Sequence, residues 1–284
     1  MKSNVLLILL WATCMGLGLP AHSFEKNQLL QVYASHQQDT ARTFSGVDGL
    51  KVQRLETKLS MPLLALGTYA GDWFSAFEFS ENRFLLSGAQ SGKRRLYRFS
   101  IPLEYDAAPS GRWQHFWRFA PAYYSDESLI DQSRYVNEFA WLGKYQANRK
   151  VKWVLGLRQD TRFGVTTRYP VFGLEAQPNS KMYHHWVFPD VYSQLTLPKG
   201  NRLQVFMRPS GGNWRYLQGD GTEASFGMMD WNLGLALFKR LKHPLQLKFE
   251  AGLSMNGEGS IAGVEGDLED GYFLLISLQS QLPD

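Results

Sequence analysis

An alternation of apolar with polar or small residues runs through Leu245-Gln246-Leu247-Lys248-Phe249-Glu250-Ala251-Gly252-Leu253-Ser254. Successive side chains of a β-strand point to opposite faces, so this order gives one apolar face and one polar face. A helix would scatter the same residues around its whole circumference. The stretch therefore predicts a strand in a sheet whose two faces meet different surroundings.

The same period of two recurs along the chain, for example over 97–105 and 229–237. Most of the resulting segments reach about ten residues, the length with which a tilted strand crosses a bilayer, whereas soluble sandwiches mostly use about five or six. Twelve strands are predicted, with ten to fourteen as the range, at 51–64, 72–86, 94–105, 112–124, 135–147, 151–160, 168–177, 183–196, 201–209, 226–239, 244–255 and 270–281.

Turns and loops between these strands test the strand count. Outer-membrane barrels alternate short turns with longer loops. Polar loops at 210–225 and 255–270 follow this rule, with short turns before each. The N-terminal half breaks it, because 148–150 is short where a long loop is due and 124–134 is long where a turn is due. One strand in that half is therefore expected to be merged or split.

The N-terminus reads as a secretory signal, with Lys2, an apolar run that begins at Val5, and the small-x-small site Ala21-His22-Ser23. Cleavage is expected after Ser23, and a retained transmembrane anchor is the alternative. The single cysteine, Cys14, lies inside this segment without the preceding residues of a lipoprotein signal. The mature chain then has no disulfide and no thiolate metal site.

Composition and patterning together predict an all-β protein, an antiparallel transmembrane β-barrel in the outer membrane of a Gram-negative bacterium. Aromatic residues make up 14% of the chain, and aromatic rings favour the membrane interface. The charges are spread out, with a net charge of +4, which argues against a nucleic-acid face. Residues 1–23 are assigned to the signal peptide, 24–49 to a periplasmic segment or plug, and 50–284 to the barrel.

Lipid around the barrel would place the apolar face outside and the polar face in the lumen. A soluble barrel would have the reverse arrangement with the same period, so periodicity alone leaves both open. If the barrel lies in a membrane, basic residues outnumber acidic ones on its lumen face, which predicts a weak preference for anions. The predicted lumen-lining residues are Arg54, Glu56, Lys58, Glu78, Arg98, Glu104, Arg118, Glu138, Lys144, Lys152, Arg158, Glu175, Arg202, Arg208, Asp230, Lys248 and Glu250.

Several short stretches occur in a familiar order: Trp117-Arg118-Phe119-Ala120-Pro121-Ala122-Tyr123-Tyr124-Ser125-Asp126, Trp153–Leu157, Tyr169–Leu174, Gln177–Asn179 and Phe188–Asp190. In this order the chain resembles an uncharacterised bacterial outer-membrane barrel family, domain of unknown function 6268. The resemblance covers most of the mature chain and implies the same barrel, with no activity or catalytic residue to carry over. The chain departs from many barrels in ending Leu282-Pro283-Asp284 rather than on an aromatic residue.

Enzyme chemistry finds little support in the sequence. A hydrolase needs a nucleophile, a base and a group that orients the base, and no predicted strand carries a His-x-Ser pair. His184 and His185 would face opposite sides of a strand, so they are read as part of an interfacial belt. Acidic runs at 125–127 and 265–270 could bind a cation but are more often solvated loops. No catalytic, metal or cofactor site is therefore predicted, and no cofactor.

Three hypotheses remain. The first is an outer-membrane barrel that serves as a narrow passive channel for small solutes or as an envelope component. The second is a lipid- or lipopolysaccharide-modifying enzyme, with His115, Ser125 and Asp126 as its best candidates. The third is a soluble periplasmic barrel that binds an apolar ligand. The expected partners are outer-membrane lipid and lipopolysaccharide, with the barrel-assembly machinery and periplasmic chaperones during biogenesis.

Overall fold

The computed structural model describes residues 32–88, 91–126, 135–241 and 245–280. Within them one antiparallel sheet contains seventeen strand segments and closes on itself. The segments are β1 (Tyr33–Asp39), β2 (Arg42–Thr43), β3 (Lys51–Thr68), β4 (Gly71–Ser87), β5 (Gly92–Ser100), β6 (Leu103–Ala107), β7 (Trp113–Ser125), β8 (Tyr135–Asn148), β9 (Val151–Asp160), β10 (Thr167–Asn179), β11 (Met182–Phe188), β12 (Asp190–Thr196), β13 (Arg202–Leu217), β14 (Glu223–Arg240), β15 (Leu245–Ile261), β16 (Val264–Leu268) and β17 (Gly271–Ser280). One short 3₁₀ turn, Pro198–Gly200, precedes β13.

The wall of the barrel has fourteen strands. Three pairs of segments, β1 with β2, β5 with β6, and β16 with β17, each continue one another between the same two neighbours. Each strand pairs with the next in the chain, and β1 pairs with both β3 and β17, which closes the ring. The predicted antiparallel all-β barrel is confirmed, and the expected count of about twelve is close to the observed fourteen.

Two differences account for the count. Residues 33–43 form a wall strand, so the assignment of 24–49 to a periplasmic segment or plug is wrong over that stretch. Backbone pairing on both edges holds this strand in place. The predicted strand 183–196 is the β11–β12 hairpin, whose tight turn pairs Val187 with Asp190. The predicted signal segment 1–23 and residues 24–31 lie outside the described residues.

The two ends of the barrel differ in their connections. The turn end carries the connections at 69–70, 108–112, 149–150, 180–181 and 197–201, together with residues 32, 241 and 280. The loop end carries those at 44–50, 161–166, 218–222 and 262–263, the β11–β12 turn, and residues 88, 91 and 126. Because β11 and β12 are separate strands, 148–150 falls at the turn end and 124–126, the described part of 124–134, falls at the loop end, which resolves the conflict in the N-terminal half.

The stretches predicted as long loops are mostly strands. Residues 210–225 contain the end of β13 and the start of β14, and only 218–222 separate them. Residues 255–270 contain the end of β15 and all of β16. These hairpins extend the sheet beyond the loop end of its shorter strands. The prediction of long polar loops there is therefore wrong; the stretches look like loops in the sequence because the outward side chains of these strand ends are mostly polar or small.

The loop-end parts of nine wall strands close into a narrower structure, here called the upper ring. It is formed by β2, β3, β4, β5, β7, β13, β14, β15 and β16. The ends of β7 and β13 meet as a parallel pair, Ser125 with Arg215. The Asp126 backbone N–H donates to the Arg215 carbonyl at 3.1 Å, and the Leu217 N–H donates to the Asp126 carboxylate at 3.0 Å. The remaining wall strands, β8 to β12, take no part in this closure.

Apolar side chains fill the upper ring. Aromatic rings from opposite sides of the barrel meet there, with centroids 4.3 Å apart for Phe84 and Phe226 and 5.7 Å apart for Phe84 and Trp214. The buried cluster comprises Phe44, Leu50, Val52, Phe84, Leu96, Ala122, Tyr124, Trp214, Tyr216, Phe226, Met228, Ile261 and Leu268. The rest of the molecule, here called the lower barrel, has all fourteen strands in its wall.

The outer face of the lower barrel is apolar. Large apolar side chains are exposed on every side of it, including Phe99, Trp117, Leu155, Val205, Leu235 and Leu274. Aromatic contacts lie towards both ends of this band, such as Trp73 with Tyr105 at the turn end and Tyr123 with Tyr135 at the loop end. In the described part of the chain, no helix is long and apolar enough to span a membrane.

Candidate functional site

The inner face of the lower barrel is lined by charged side chains. All seventeen residues predicted to line the lumen have their side chains on this face, and all except Lys58 are buried or half-buried. Lys58 is 46% exposed although it points inward and pairs with Glu56 at 3.0 Å. Because a wall side chain can be exposed on the inner face only if space lies in front of it, solvent reaches the lumen near β3.

One network joins four neighbouring wall strands, from β4 to β8. Glu78 accepts from Arg98 and from Arg118, each at 3.0 Å. Arg118 also donates to Glu104 at 2.5 Å, and Arg98 to Glu138 at 2.8 Å. Each guanidinium thus bridges two carboxylates, a geometry that suits the planar fork of arginine donors. The alternating register of strands places these groups side by side, because every second residue faces inward.

A second network crosses the lumen. Arg54 on β3 donates to Glu56 at 2.9 Å and to the Ser210 hydroxyl on β13 at 3.0 Å. Arg42 on β2 binds both carboxylate oxygens of Asp230 on β14, at 2.6 and 2.9 Å, across the two strands that separate them. These contacts lie directly beneath the upper ring and mark where the charged interior ends.

Two further groups occupy the wall from β8 to β15. Glu175 accepts from Lys144 at 2.8 Å and lies 3.4 Å from a ring nitrogen of His185. Arg208 donates to Glu250 at 2.5 Å, and Lys248 also pairs with Glu250. Cationic groups also cover aromatic rings, such as Arg202 over Phe238 and Arg208 over Phe206. The interior of the lower barrel is therefore mixed in charge, with carboxylates and cations along most of the wall and smaller apolar clusters, such as Phe206 with Phe238 and Phe273, between them.

A cluster at the loop end of β9 to β12 joins the β9–β10 loop (residues 161–166) to the wall. Arg162 donates to both carboxylate oxygens of Asp190 at 2.8 Å and to Asp160 at 2.9 Å. It also donates to the Tyr169 hydroxyl at 2.7 Å. Arg158 pairs with Asp160 at 2.7 Å. Arg158 and Asp190 are each about one-third exposed, so this cluster reaches solvent.

Several charged interior residues were missed by the sequence analysis, among them five that the wall and the β9–β10 loop contribute. Asp39 and Arg42 lie in the wall strand that was assigned to a periplasmic segment, and Asp190 begins a strand that was merged with its neighbour. Asp160 ends a predicted strand but was not counted, and Arg162 lies in a loop. The signal that could have found Asp190 is the Phe188-Pro189-Asp190 turn, since proline next to aspartate typically ends a strand.

The candidate enzyme residues do not assemble into a site. His115 lies on the outer face, stacked between Trp113 and Trp141, whereas Ser125 is buried at the loop end of the same strand. Ten residues of extended chain, about 33 Å, separate them. Asp126 instead accepts the Leu217 N–H. His115 therefore lies too far from Ser125 and Asp126 to act with them in catalysis.

A histidine–serine contact does form between β11 and β12, on the outer face. His184 Nδ1 and the Ser193 hydroxyl are 2.9 Å apart, and the Trp186 indole N–H donates to the same hydroxyl at 3.0 Å. Among the described residues no carboxylate pairs with His184, so nothing of that kind orients the ring as a catalytic base. In the described ranges no three His, Cys, Asp or Glu side chains are grouped to hold a metal ion.

Comparisons with known proteins bear on the fold. No family model matches the chain. No curated protein matches it either. It is similar to an outer-membrane channel from Pseudomonas putida F1, with TM-score 0.50 and 11% identity over 92% of this chain and 99% of that one. The toluene transporter TodX from Pseudomonas putida has TM-score 0.43 and 8% identity over 89% of both chains. The first likeness shows a β-barrel fold of the outer-membrane type.

Proposed function

We propose that this protein is a narrow passive channel for small polar solutes in the outer membrane of a Gram-negative bacterium. The charged inner face of the lower barrel carries the proposal. Replacing buried ion pairs by apolar residues is often neutral or stabilising. A barrel that needed only a filled core would therefore gain nothing from so many charged groups in its interior. A wall that faces water does require them, because apolar residues there would remain exposed.

Solvent exposure inside the barrel supports a water-lined path. Lys58 is 46% exposed, and Arg158, Arg208 and Asp190 are each about one-third exposed. By contrast, every residue of the apolar cluster in the upper ring is less than 9% exposed. Water therefore meets charged groups in the lower barrel and is kept out of the upper ring.

The orientation in the membrane follows from the two ends. Outer-membrane barrels place short turns in the periplasm and longer extensions outside. The turn end is therefore assigned to the periplasm and the upper ring to the cell exterior. The apolar outer face of the lower barrel would contact outer-membrane lipid and lipopolysaccharide, and assembly would require periplasmic chaperones and the barrel-assembly machinery.

The ion selectivity of this channel should be weak. The predicted lining residues have a small excess of basic groups, but the structure adds Asp39, Asp106, Asp160 and Asp190 along with Arg42 and Arg162, more carboxylates than guanidiniums. The excess therefore becomes smaller than the sequence alone indicates. We expect slight anion preference that fades at high salt, because screening shortens the reach of each charge.

Single-channel recording in planar bilayers under a salt gradient tests the proposal. The expected result is small conductance steps with a reversal potential displaced slightly towards anions. Lys58→Gln should move the reversal potential towards cations, and Arg83→Gln on the outer face is the matched control that should not. If folded protein, identified by its change in gel mobility on boiling, gives no conductance steps over many insertions, a channel is contradicted and a structural component of the envelope is favoured.

A further inference from the structure

The upper ring blocks the axis of the barrel for polar solutes. Its interior is closed by aromatic contacts and by the hydrogen bonds between the ends of β7 and β13. The small cavity that the packing leaves is lined only by apolar side chains and glycines, including Phe44, Val52 and Ile261. A polar solute on the axis would have to give up its hydration without new partners, which is costly.

The wall has a gap to one side of the upper ring. The β12–β13 pairing ends at Val191 with Met207, and β13 continues to Leu217 with only β14 beside it until it meets β7. On the other side, β11 pairs with β10 only as far as Phe172, although β10 begins at Thr167. The short β11–β12 hairpin therefore leaves a notch between β10 and β13, at the height where the charged interior ends.

The β9–β10 loop covers this notch in the described part of the chain. Its backbone packs closely on the outer face of the β13–β14 hairpin. A Cβ added at Gly211 would lie 2.7 Å from the Arg162 carbonyl oxygen, and one at Gly227 would lie 2.7 Å from that of Gly164. The ring centroids of Phe163 and Trp231 are 6.0 Å apart. Two glycines therefore allow the loop to seat against the hairpin.

Arg162 fastens the loop to the far side of the notch. Its two bonds to Asp190 join the loop to the first residue of β12, and its bonds to Asp160 and Tyr169 join it to β9 and β10. These are charge-assisted contacts, which are stronger than neutral hydrogen bonds. Arg158 and Asp190 nevertheless stay about one-third exposed, so the fastening lies at a boundary between lumen and solvent.

From this geometry we propose that solutes pass through the side of the barrel, beneath the upper ring, and that the Arg162–Asp190 contact holds the β9–β10 loop closed over that passage. The proposal rests on the proposed channel function and adds where the passage opens and which residue gates it. The closed loop accounts for a barrel whose lumen is charged and partly hydrated while its axis is sealed by apolar side chains.

Conductance of four variants in planar bilayers tests the route. Arg162→Gln and Asp190→Asn each remove the ion pair and should raise the open fraction about tenfold. Trp214→Ala widens the upper ring and should leave conductance at the wild-type level. Arg215→Gln removes an exposed arginine near the same hairpin and is the matched control. Gel mobility with and without boiling confirms that each variant is a folded barrel before it is recorded.

The outcomes separate this inference from the channel function. If Trp214→Ala opens the barrel and Arg162→Gln does not, the passage is axial, so the side route is wrong while the channel function stands. A second variant, in which residues 162–165 are replaced by two glycines, removes the whole loop contact and should also conduct. It tests the side passage independently if a single substitution prevents folding. If this variant, Trp214→Ala and wild type are all silent, both the side passage and the channel are contradicted.

Discussion

The lower barrel and the upper ring are built from the same strands but have opposite polarity. In the lower barrel Leu233, Leu235 and Leu237 of β14 are exposed on the outer face, and charged groups line the interior. In the upper ring Phe226 and Met228 of the same strand are buried inside. The outer face there carries charges, including Glu223, Arg215, Glu258 and Glu265. One strand thus serves a membrane barrel at one end and a water-soluble barrel at the other.

This inversion shows what a period of two does and does not determine. Alternation specifies that a strand has two unlike faces, but the surrounding solvent decides which face is inside. Lipid favours apolar groups on the outer face, whereas water favours them in the core. Both arrangements that the sequence left open therefore occur in this chain, at different heights. The apolar register of β14 moves from even to odd residues around Asp230, where the charged interior begins.

The largest effect is expected from emptying the core of the upper ring. Phe226 is 2% exposed and packs on Phe84 and Trp214. Phe226→Ala should lower the free energy of unfolding by about 3–5 kcal/mol, because it loses apolar burial and leaves a cavity. Phe99→Ala, on the lipid-facing surface, is the matched control and should cost clearly less, since lipid can fill the space. Urea unfolding in lipid vesicles, followed by tryptophan fluorescence, measures the loss in free energy of unfolding for both variants. Equal losses would contradict the difference between the upper ring and the lower barrel.

The sequence predicts most of the fold because most wall strands carry an apolar outer face. The first wall strand does not. Its inward residues Ser35, Gln37 and Asp39 are polar, and so are His36 and Gln38 on its outer face. This strand is held by backbone pairing to β3 and β17, which leaves no periodic signal in its residues. It could not be found from alternation alone.

The merged strand was missed for a different reason. Together β11 and β12 are about as long as one predicted wall strand, so the length of the stretch did not reveal the turn. The alternation does shift by one residue there, because Trp186 on β11 and Val191 on β12 face outward together. That shift and Pro189 were the available signals. The charged lining was predictable because every second residue of a wall strand faces inward. The contacts between distant strands, such as Arg42 with Asp230, were not, since a single sequence does not reveal which strands meet across a lumen.

An intermediate effect is expected from placing a charge in lipid. Leu235 is 54% exposed on the outer face of the lower barrel. Leu235→Arg should destabilise the folded barrel by about 2–4 kcal/mol if the position lies near the middle of the bilayer. Glu265, exposed beside the β15–β16 turn, lies on the outer face of the upper ring. Glu265→Arg should change stability by less than about 0.5 kcal/mol, as substitutions in water generally do.

Folding of both variants into lipid vesicles, titrated with urea, gives the comparison. If the two arginine substitutions cost the same, the upper ring and the lower barrel share one environment. The assignment of the upper ring to water would then be wrong, and the two-region description would have to be given up.

The smallest effect is expected at an ion pair on the outer face of β4, above the aromatic contacts of Phe79 with Tyr97. Arg83 binds Glu81 at 2.7 and 2.9 Å, and the Arg83 side chain is 51% exposed. In water such a pair contributes about 0–1 kcal/mol and weakens with salt. Glu81→Gln should therefore lower the free energy of unfolding by at most about 1 kcal/mol, with the difference vanishing at high salt.

In lipid the same substitution would leave the Arg83 guanidinium unpaired and lower the free energy of unfolding by several kcal/mol. Urea titrations at low and high salt separate these cases. A large, salt-independent loss would place the membrane boundary above Glu81 and extend the lower barrel into the region assigned to the upper ring.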